Sequence, residues 1–377
     1  MFLLTEEQLM MRETTRKIAL EKICPRASEI DETEEYPKDI EEVLRDQGIL
    51  KLLVPERYGG LSGDITTACI VVEEINKASA AVSMIAYVCY ATTLLMLHAN
   101  DQQKEKYLTR MAEDKLMSLC LTEPGAGSDS ASIKSKAVLE GDSYRIHGTK
   151  CFITQGAVVD YHFAFAVTGP GKGSSGISAF IVEKTSPGVD VGKNEKKMGM
   201  RGISASEIIF DNALVPVENR VGEEGKGFKV VMAAFDRIRP IIAAQALGIA
   251  QGAYDYALEY SKNRMAFGQP ISQFQGIQFK LADMVTSVEA ARGLVYNAAQ
   301  LIDNGVEDVT RHSSMAKYFA SETAMKVTTD AVQVLGGYGY IRDHPVERMM
   351  RDAKCTQIIE GTSEIQKMII ARKILAS

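Results

Sequence analysis

Leu116-Met117-Ser118-Leu119-Cys120-Leu121-Thr122-Glu123-Pro124-Gly125-Ala126-Gly127-Ser128-Asp129 is where the pattern of this chain changes. Before it, residues 5 to about 115 read as helix. Thr5 and Gln8 stand at capping-box spacing. Ile40, Val43 and Leu44 fall at helical intervals, with Gly48 as a stop. A long helical pattern starts at Asp64 and is interrupted before Asn100-Asp101, where an acid opens the next helix. After the change, short runs of β-formers at 117–121, 137–139, 144–146, 163–167 and 177–182 are separated by glycine-containing turns. Phe163, Phe165 and Val167 alternate, which places them on one sheet face. From Gly225 the helical period returns. One long pattern covers 228–262 with Pro240 as a kink. A second carries Ile277, Leu281, Val285 and Val288 and ends at Gly305, and a third covers 309–335 and stops at Gly336-Gly337. The last helix follows Thr362-Ser363.

The order helices, strands, helices does not alternate as βαβ units do, so a dinucleotide-binding doubly wound sheet is not supported. The expected fold is mainly α with a β domain: an N-terminal helical domain (1–116), a compact antiparallel β domain (117–225) and a C-terminal four-helix bundle (226–377).

Bulk properties narrow the function. The 377 residues are 46% hydrophobic and 24% charged with a net charge of −6, ordinary for a globular protein and unsuited to a nucleic-acid partner, which needs a basic face. Residues 78–100 contain no Asp, Glu, Lys or Arg. Their serines, threonines, cysteine and tyrosines dilute the apolar residues, so a helix buried in a bundle is expected rather than a membrane span. Such a helix also suits the wall of an apolar pocket. No charged, apolar leader opens the sequence, and a cytoplasmic location is expected. The cysteines are scattered, with no metal-ligand spacing and no disulfide framework, so no metal site is expected.

The stretch 357–363, Gln-Ile-Ile-Glu-Gly-Thr-Ser, holds one carboxylate among apolar residues. Isoleucines beside Glu360 should dry the site and raise its pKa toward the range of an effective base. Gly361 permits a close approach by backbone or ligand. Alone, a surface or helix-terminal glutamate is the commoner reading.

Taken together and in order, Leu121–Asp129, Phe152-Ile153-Thr154, Phe235-Asp236-Arg237-Ile238-Arg239-Pro240, Arg264-Met265-Ala266-Phe267-Gly268, Gln333-Val334-Leu335-Gly336-Gly337 and Glu360-Gly361-Thr362 resemble the successive motifs of the acyl-CoA dehydrogenase family over nearly the whole chain. The resemblance implies a barrel-like middle domain, bound FAD, a homotetramer and reoxidation by an electron-transfer flavoprotein. It makes Glu360 the base that removes the α-proton of an acyl-CoA thioester while the β-hydrogen leaves as hydride to flavin N5. In that family the thioester carbonyl is held between a flavin ribityl hydroxyl and the backbone N–H of the base residue, donors aimed at the developing enolate charge.

Carried over by position, Leu121, Thr122, Gly127, Ser128, Phe152 and Thr154 fall at flavin contacts. Phe152 stands where the family usually has tryptophan. Arg264, Phe267, Gln275, Gln333, Gly336 and Gly337 match contacts to the FAD of a neighbouring subunit. Thr362 meets FAD again, and Glu364 replaces a common glutamine. Ser128, Asp236 and Arg239 match CoA-binding positions, although Arg239 could instead hold Asp236 as a structural pair. Ile238 occupies the alternative base position of some branches and cannot accept a proton. Ile359, Gly361, Ala86 and Tyr90 fall near the acyl group. Ile359, where relatives often carry tyrosine, and Ala86 are smaller than the common alternatives, with Tyr87 and Tyr90 nearby, so a branched, cyclic or aryl-substituted acyl-CoA is expected. An enoyl-CoA reductase running the reverse reaction and a non-catalytic acyl-CoA-binding protein on the same scaffold are the alternatives.

Overall fold

The computed structural model describes residues 4–86, 89–113 and 115–376, with the backbone alone at 89–90. The expectations placed on Tyr87 and on the side chain of Tyr90 lie outside the described residues.

The N-terminal third is helical: α1 Glu6–Ile18, α2 Ala27–Thr33, α3 Lys38–Asp46, α4 Ile65–Asn76, α5 Ala80–Ser83, α6 Cys89–His98 and α7 Asp101–Ala112. Thr5 and Gln8 close a reciprocal capping box on α1, and Asn100 and Gln103 close another on α7. Gly48 stands at φ 71, the left-handed conformation that a residue just past a helix end needs. The uncharged segment is not one helix. It carries α5 and α6, with α4 ending before it, and α4 and α5 are almost entirely buried.

The middle of the chain forms β1 Met117–Cys120, β2 Lys136–Glu140, β3 Ser143–Thr154, β4 Tyr161–Val167, β5 Ile177–Glu183, β6 Val189–Asn194, β7 Ala205–Pro216 and β8 Arg220–Val221. The strand order is β6-β7-β3-β2-β4-β5-β8, and β1 also pairs with β4. Most pairings are antiparallel, but β1 and the start of β2 run parallel to β4, so the sheet is mixed. The alternation in β4 has a different meaning from a half-exposed strand. Phe163 and Phe165 enter the core shared with the helices, and Ala164 and Ala166 enter a second core with Tyr144, Phe180 and Phe210. Both faces of β4 are therefore dry.

The C-terminal part consists of α8 Gly227–Asn263, the short β9 Met265–Ala266 and β10 Gln269–Pro270, α9 Gln275–Asp303, α10 Thr310–Leu335, α11 Val346–Thr356 and α12 Ser363–Leu375. α11, absent from the pattern reading, interrupts the simple bundle and delivers the chain to Glu360. Two contacts fix the domains around it. Asp303 at the end of α9 accepts from Ile65 N at 2.8 Å and Thr66 N at 2.9 Å, capping α4 from another part of the chain. Asp352 on α11 accepts from Met200 N, tying α11 to the loop before β7.

Candidate active site

Glu360 lies in the turn between α11 and α12. It stands at φ 55 and Gly361 at φ 91, so two successive residues are left-handed. That conformation is costly for glutamate and persists where the surroundings hold it. Here the surroundings hold both carbonyls. Glu360 O accepts from Gln366 Nε2 at 3.0 Å and from Arg239 Nε at 3.5 Å. Gly361 O accepts from Gln366 Nε2 at 3.0 Å and from Lys317 Nζ at 2.8 Å. A Cβ on Gly361 would meet Gln366 Nε2 at 2.7 Å, so glycine is required there by space as well as by φ. Thr362 caps α12 by accepting from Ile365 N. Gln357 and Ser363, on either side of the turn, both donate to Glu322 Oε1.

The expected apolar surround is only half present in the single chain. Ile359 packs against the core, but Ile358 is 54% exposed. The turn is stiffened by polar partners more than by the isoleucines.

Beneath the turn, Arg239 is 4% exposed and pairs with Asp236 at 2.8 Å. Asp236 also accepts from Thr310 Oγ1 at 2.7 Å. Pro240 explains part of this arrangement. It has no N–H to give the Asp236 carbonyl four residues earlier, and Ser313 Oγ donates to that carbonyl instead. The carbonyl that Pro240 leaves free thus docks α10 on α8 next to the base turn.

Other expected residues form two further groups. On the β domain, β3 carries a bulge between Lys150 and Ile153, and Phe152 within it has φ 57 and is 62% exposed. Bulges of this kind re-aim a side chain beside a site. Cys151 N donates to Thr122 O at 2.9 Å, so Thr122, Phe152 and Thr154 belong to one surface. Leu121 is buried next to it, and Lys150 Nζ binds Leu121 O at 3.3 Å and Glu123 Oε1 at 2.7 Å. Gly127 and Ser128 lie on the exposed loop that follows.

The other group is at one end of the bundle. Arg264 stacks over the ring of Tyr338 at 5.0 Å, which joins it to Gly336 and Gly337. Phe267, φ 50 and 96% exposed, touches Phe274 edge-on next to Gln275. Gln275, Gln333, Gly336 and Gly337 are exposed, and a Cβ on either glycine would meet open space. Ala86 lines an apolar cavity with Leu50, Leu52, Val71, Val72 and Thr92.

The residues suit a flavin dinucleotide. An aromatic ring held outward by a bulge, with threonines beside it, offers a face and hydroxyls to a heteroaromatic ring. An exposed guanidinium beside an open glycine turn offers an anion site. Lys317 and Gln366, which hold the base turn, escaped the sequence reading. A lysine within a helical pattern carries no signal of burial.

The comparisons give this arrangement its class. The chain matches the family descriptions acyl-CoA dehydrogenase N-terminal domain over residues 5–115, middle domain over 118–213 and C-terminal domain over 225–375. It is 48% identical over 376 residues to cyclohex-1-ene-1-carbonyl-CoA dehydrogenase of Syntrophus aciditrophicus, covering 99% of this chain and 91% of that one. Butyryl-CoA dehydrogenase from Megasphaera elsdenii superposes with a TM-score of 0.96 at 42% identity, covering 100% of both chains. A chain in the structure described as electron transferring flavoprotein of Acidaminococcus fermentans superposes at 0.97 with 42% identity, again covering 100% of both chains.

A helical, β and helical flavoenzyme scaffold is what fold and site define together. The chain belongs to the acyl-CoA dehydrogenase family. Its cofactor is FAD and its reaction the dehydrogenation of an acyl-CoA.

Proposed function

We propose that Glu360 is the base of this dehydrogenase. The observation that carries the reading is the strained, four-point-held turn at Glu360-Gly361. The Glu360 carboxylate takes the α-proton of the thioester, the β-hydrogen departs with its electron pair, and the α,β double bond forms. FAD when bound supplies the acceptor for that electron pair. Thr122, Phe152 and Thr154 hold the ring, with Leu121 and Gly127 shaping the loop and Ser128 facing CoA. Asp236 and Arg239 act from beneath the base turn. Thr362 orders α12 next to it.

Arg264, Phe267, Gln275, Gln333, Gly336 and Gly337 then serve the FAD of another copy, in a homotetramer. Their exposure at the bundle end supports this. The likeness to the Acidaminococcus structure supports an electron-transfer flavoprotein as the electron acceptor. The 48% identical relative named for a cyclohexenyl thioester supports a cyclic or branched acyl-CoA, with Ile359 and Ala86 leaving room. The described cysteines are free, which suits a reducing cytoplasm. No described helix is long and apolar enough to cross a membrane. The domains are proposed as 1–116, 117–225 and 226–377.

The test is Glu360→Gln. It should keep FAD and bind acyl-CoA yet lose at least about a hundredfold in flavin bleaching, the scale of a general base. Near-normal bleaching would refute the assignment. A panel of butyryl-, octanoyl- and cyclohexanoyl-CoA esters tests the substrate class, and exclusive use of straight chains would end that part.

A further inference from the structure

The most unusual titratable group outside the assigned chemistry is Lys317. It sits on α10 with 0% exposure, and its Nζ donates to Gly361 O at 2.8 Å. A buried ammonium is expensive unless an opposite charge offsets it. One main-chain carbonyl does not supply that charge. It also has no need of a lysine as a tether, because the neutral amide of Gln366 already holds both the Glu360 and Gly361 carbonyls. The charge itself is what Lys317 adds.

The groups around it show where that charge acts. Glu360 is the strongest opposite charge acting on Lys317, and Cys355 on α11 and Glu322 on α10 act in the same direction. Arg239 on α8 opposes them and is itself paired with Asp236. Lys197 and Asp352 reach the same region through Cys355. Burial, partly offset by Glu360, brings the Lys317 ammonium down to about 8, so it is charged at neutral pH.

We propose that Lys317 is an electrostatic positioning residue for Glu360: its charge keeps the base ionised while its hydrogen bond fixes the Glu360-Gly361 turn. This rests on Glu360 being the base. A nearby positive charge favours the carboxylate and so lowers the pH at which the base becomes active. Lys317 stays charged throughout the acid limb of the rate profile, so removing its charge shifts that limb.

The experiment measures the pH dependence of acyl-CoA-driven flavin bleaching in FAD-loaded Lys317→Met, Lys317→Gln and Lys317→Arg, with the flavin spectrum and thermal midpoint recorded for each. Removing the charge should move the acid limb upward by about one pH unit in the Met and Gln variants. The Gln variant keeps a donor for Gly361 O, so its limb should move even where its turn is intact. The Arg variant should keep the wild-type limb and lose any inflection near pH 8. An unmoved limb in a flavin-loaded Met or Gln variant overturns the proposal. If neither neutral variant folds, an inflection near pH 8 that survives in the Arg variant overturns it. Glu360→Gln run alongside separates the two ideas: bleaching retained there removes the base itself, whereas bleaching lost there with an unmoved Lys317 limb removes only the role of Lys317.

Discussion

The ammonium of Lys150 and the carboxylate of Glu123 meet at 2.7 Å inside the β domain, and Glu123 also accepts from Lys134 N and Ser135 N. This pair locks the Leu121–Ser128 loop to β3 one residue before Cys151 and two before Phe152. Burial pushes the Glu123 pKa up, but the Lys150 charge and these hydrogen bonds outweigh it and leave the pKa below the usual value. A depressed carboxylate adds stability that is complete above its unfolded pKa and is lost as pH falls through the folded one. Lys150→Met strands a buried carboxylate and should cost about 3–5 kcal/mol. Thermal unfolding checks this. Adding Glu123→Gln should recover part of the loss, and flavin should be held less tightly in the single variant.

Arg239 offers a sharper discrimination. If it acts beneath the base turn, Arg239→Gln should lower kcat by at least about tenfold, on the scale of a lost charged hydrogen bond. KM for the acyl-CoA should move less. Steady-state kinetics decide: a raised KM with kcat intact would make Arg239 a CoA ligand instead.

Asp352 on α11 shows the opposite electrostatic sign from Glu123. Burial raises its pKa to about 6, against the pull of the Met200 N–H and of Arg348. The native state then binds a proton more tightly than the unfolded chain does. Stability falls as pH rises from about 4 toward 6 and stays lower above that. Asp352→Asn keeps an oxygen for Met200 N and should raise stability at pH 8 by about 1–3 kcal/mol. The gain should vanish near pH 4. Melting curves of both proteins across that range measure it.

Much of this architecture is legible in the sequence. The period change at Leu116, the capping box at Thr5 and Gln8, the long α8 with Pro240 and the stops at Gly305 and Gly336 are local signals, and each stands where the sequence places it. What escaped is non-local. β6 and β7 have weak alternation, and their partners lie in β3 and each other. α11 escaped because it is short, although Val346, Met349 and Ala353 fall at helical spacing, and it positions Glu360. The uncharged run 78–100 is broken into α5 and α6 because its packing against α8 and the sheet, not its composition, sets its ends. At the site, Glu360, Gly361 and Arg239 were visible as residue types. Lys317 was not, because burial of a lysine is decided by helices that meet only in three dimensions.

The β9–β10 hairpin projects Phe267 into solvent with the ring of Phe274 edge-on beside it. On the proposed assembly, that side chain acquires its role only when another copy arrives. Holding the cofactor and gathering subunits then become one equilibrium. Dilution of the enzyme would bleed flavin from it with an order in protein concentration above one, and the yellow colour of a solution would report its stoichiometry.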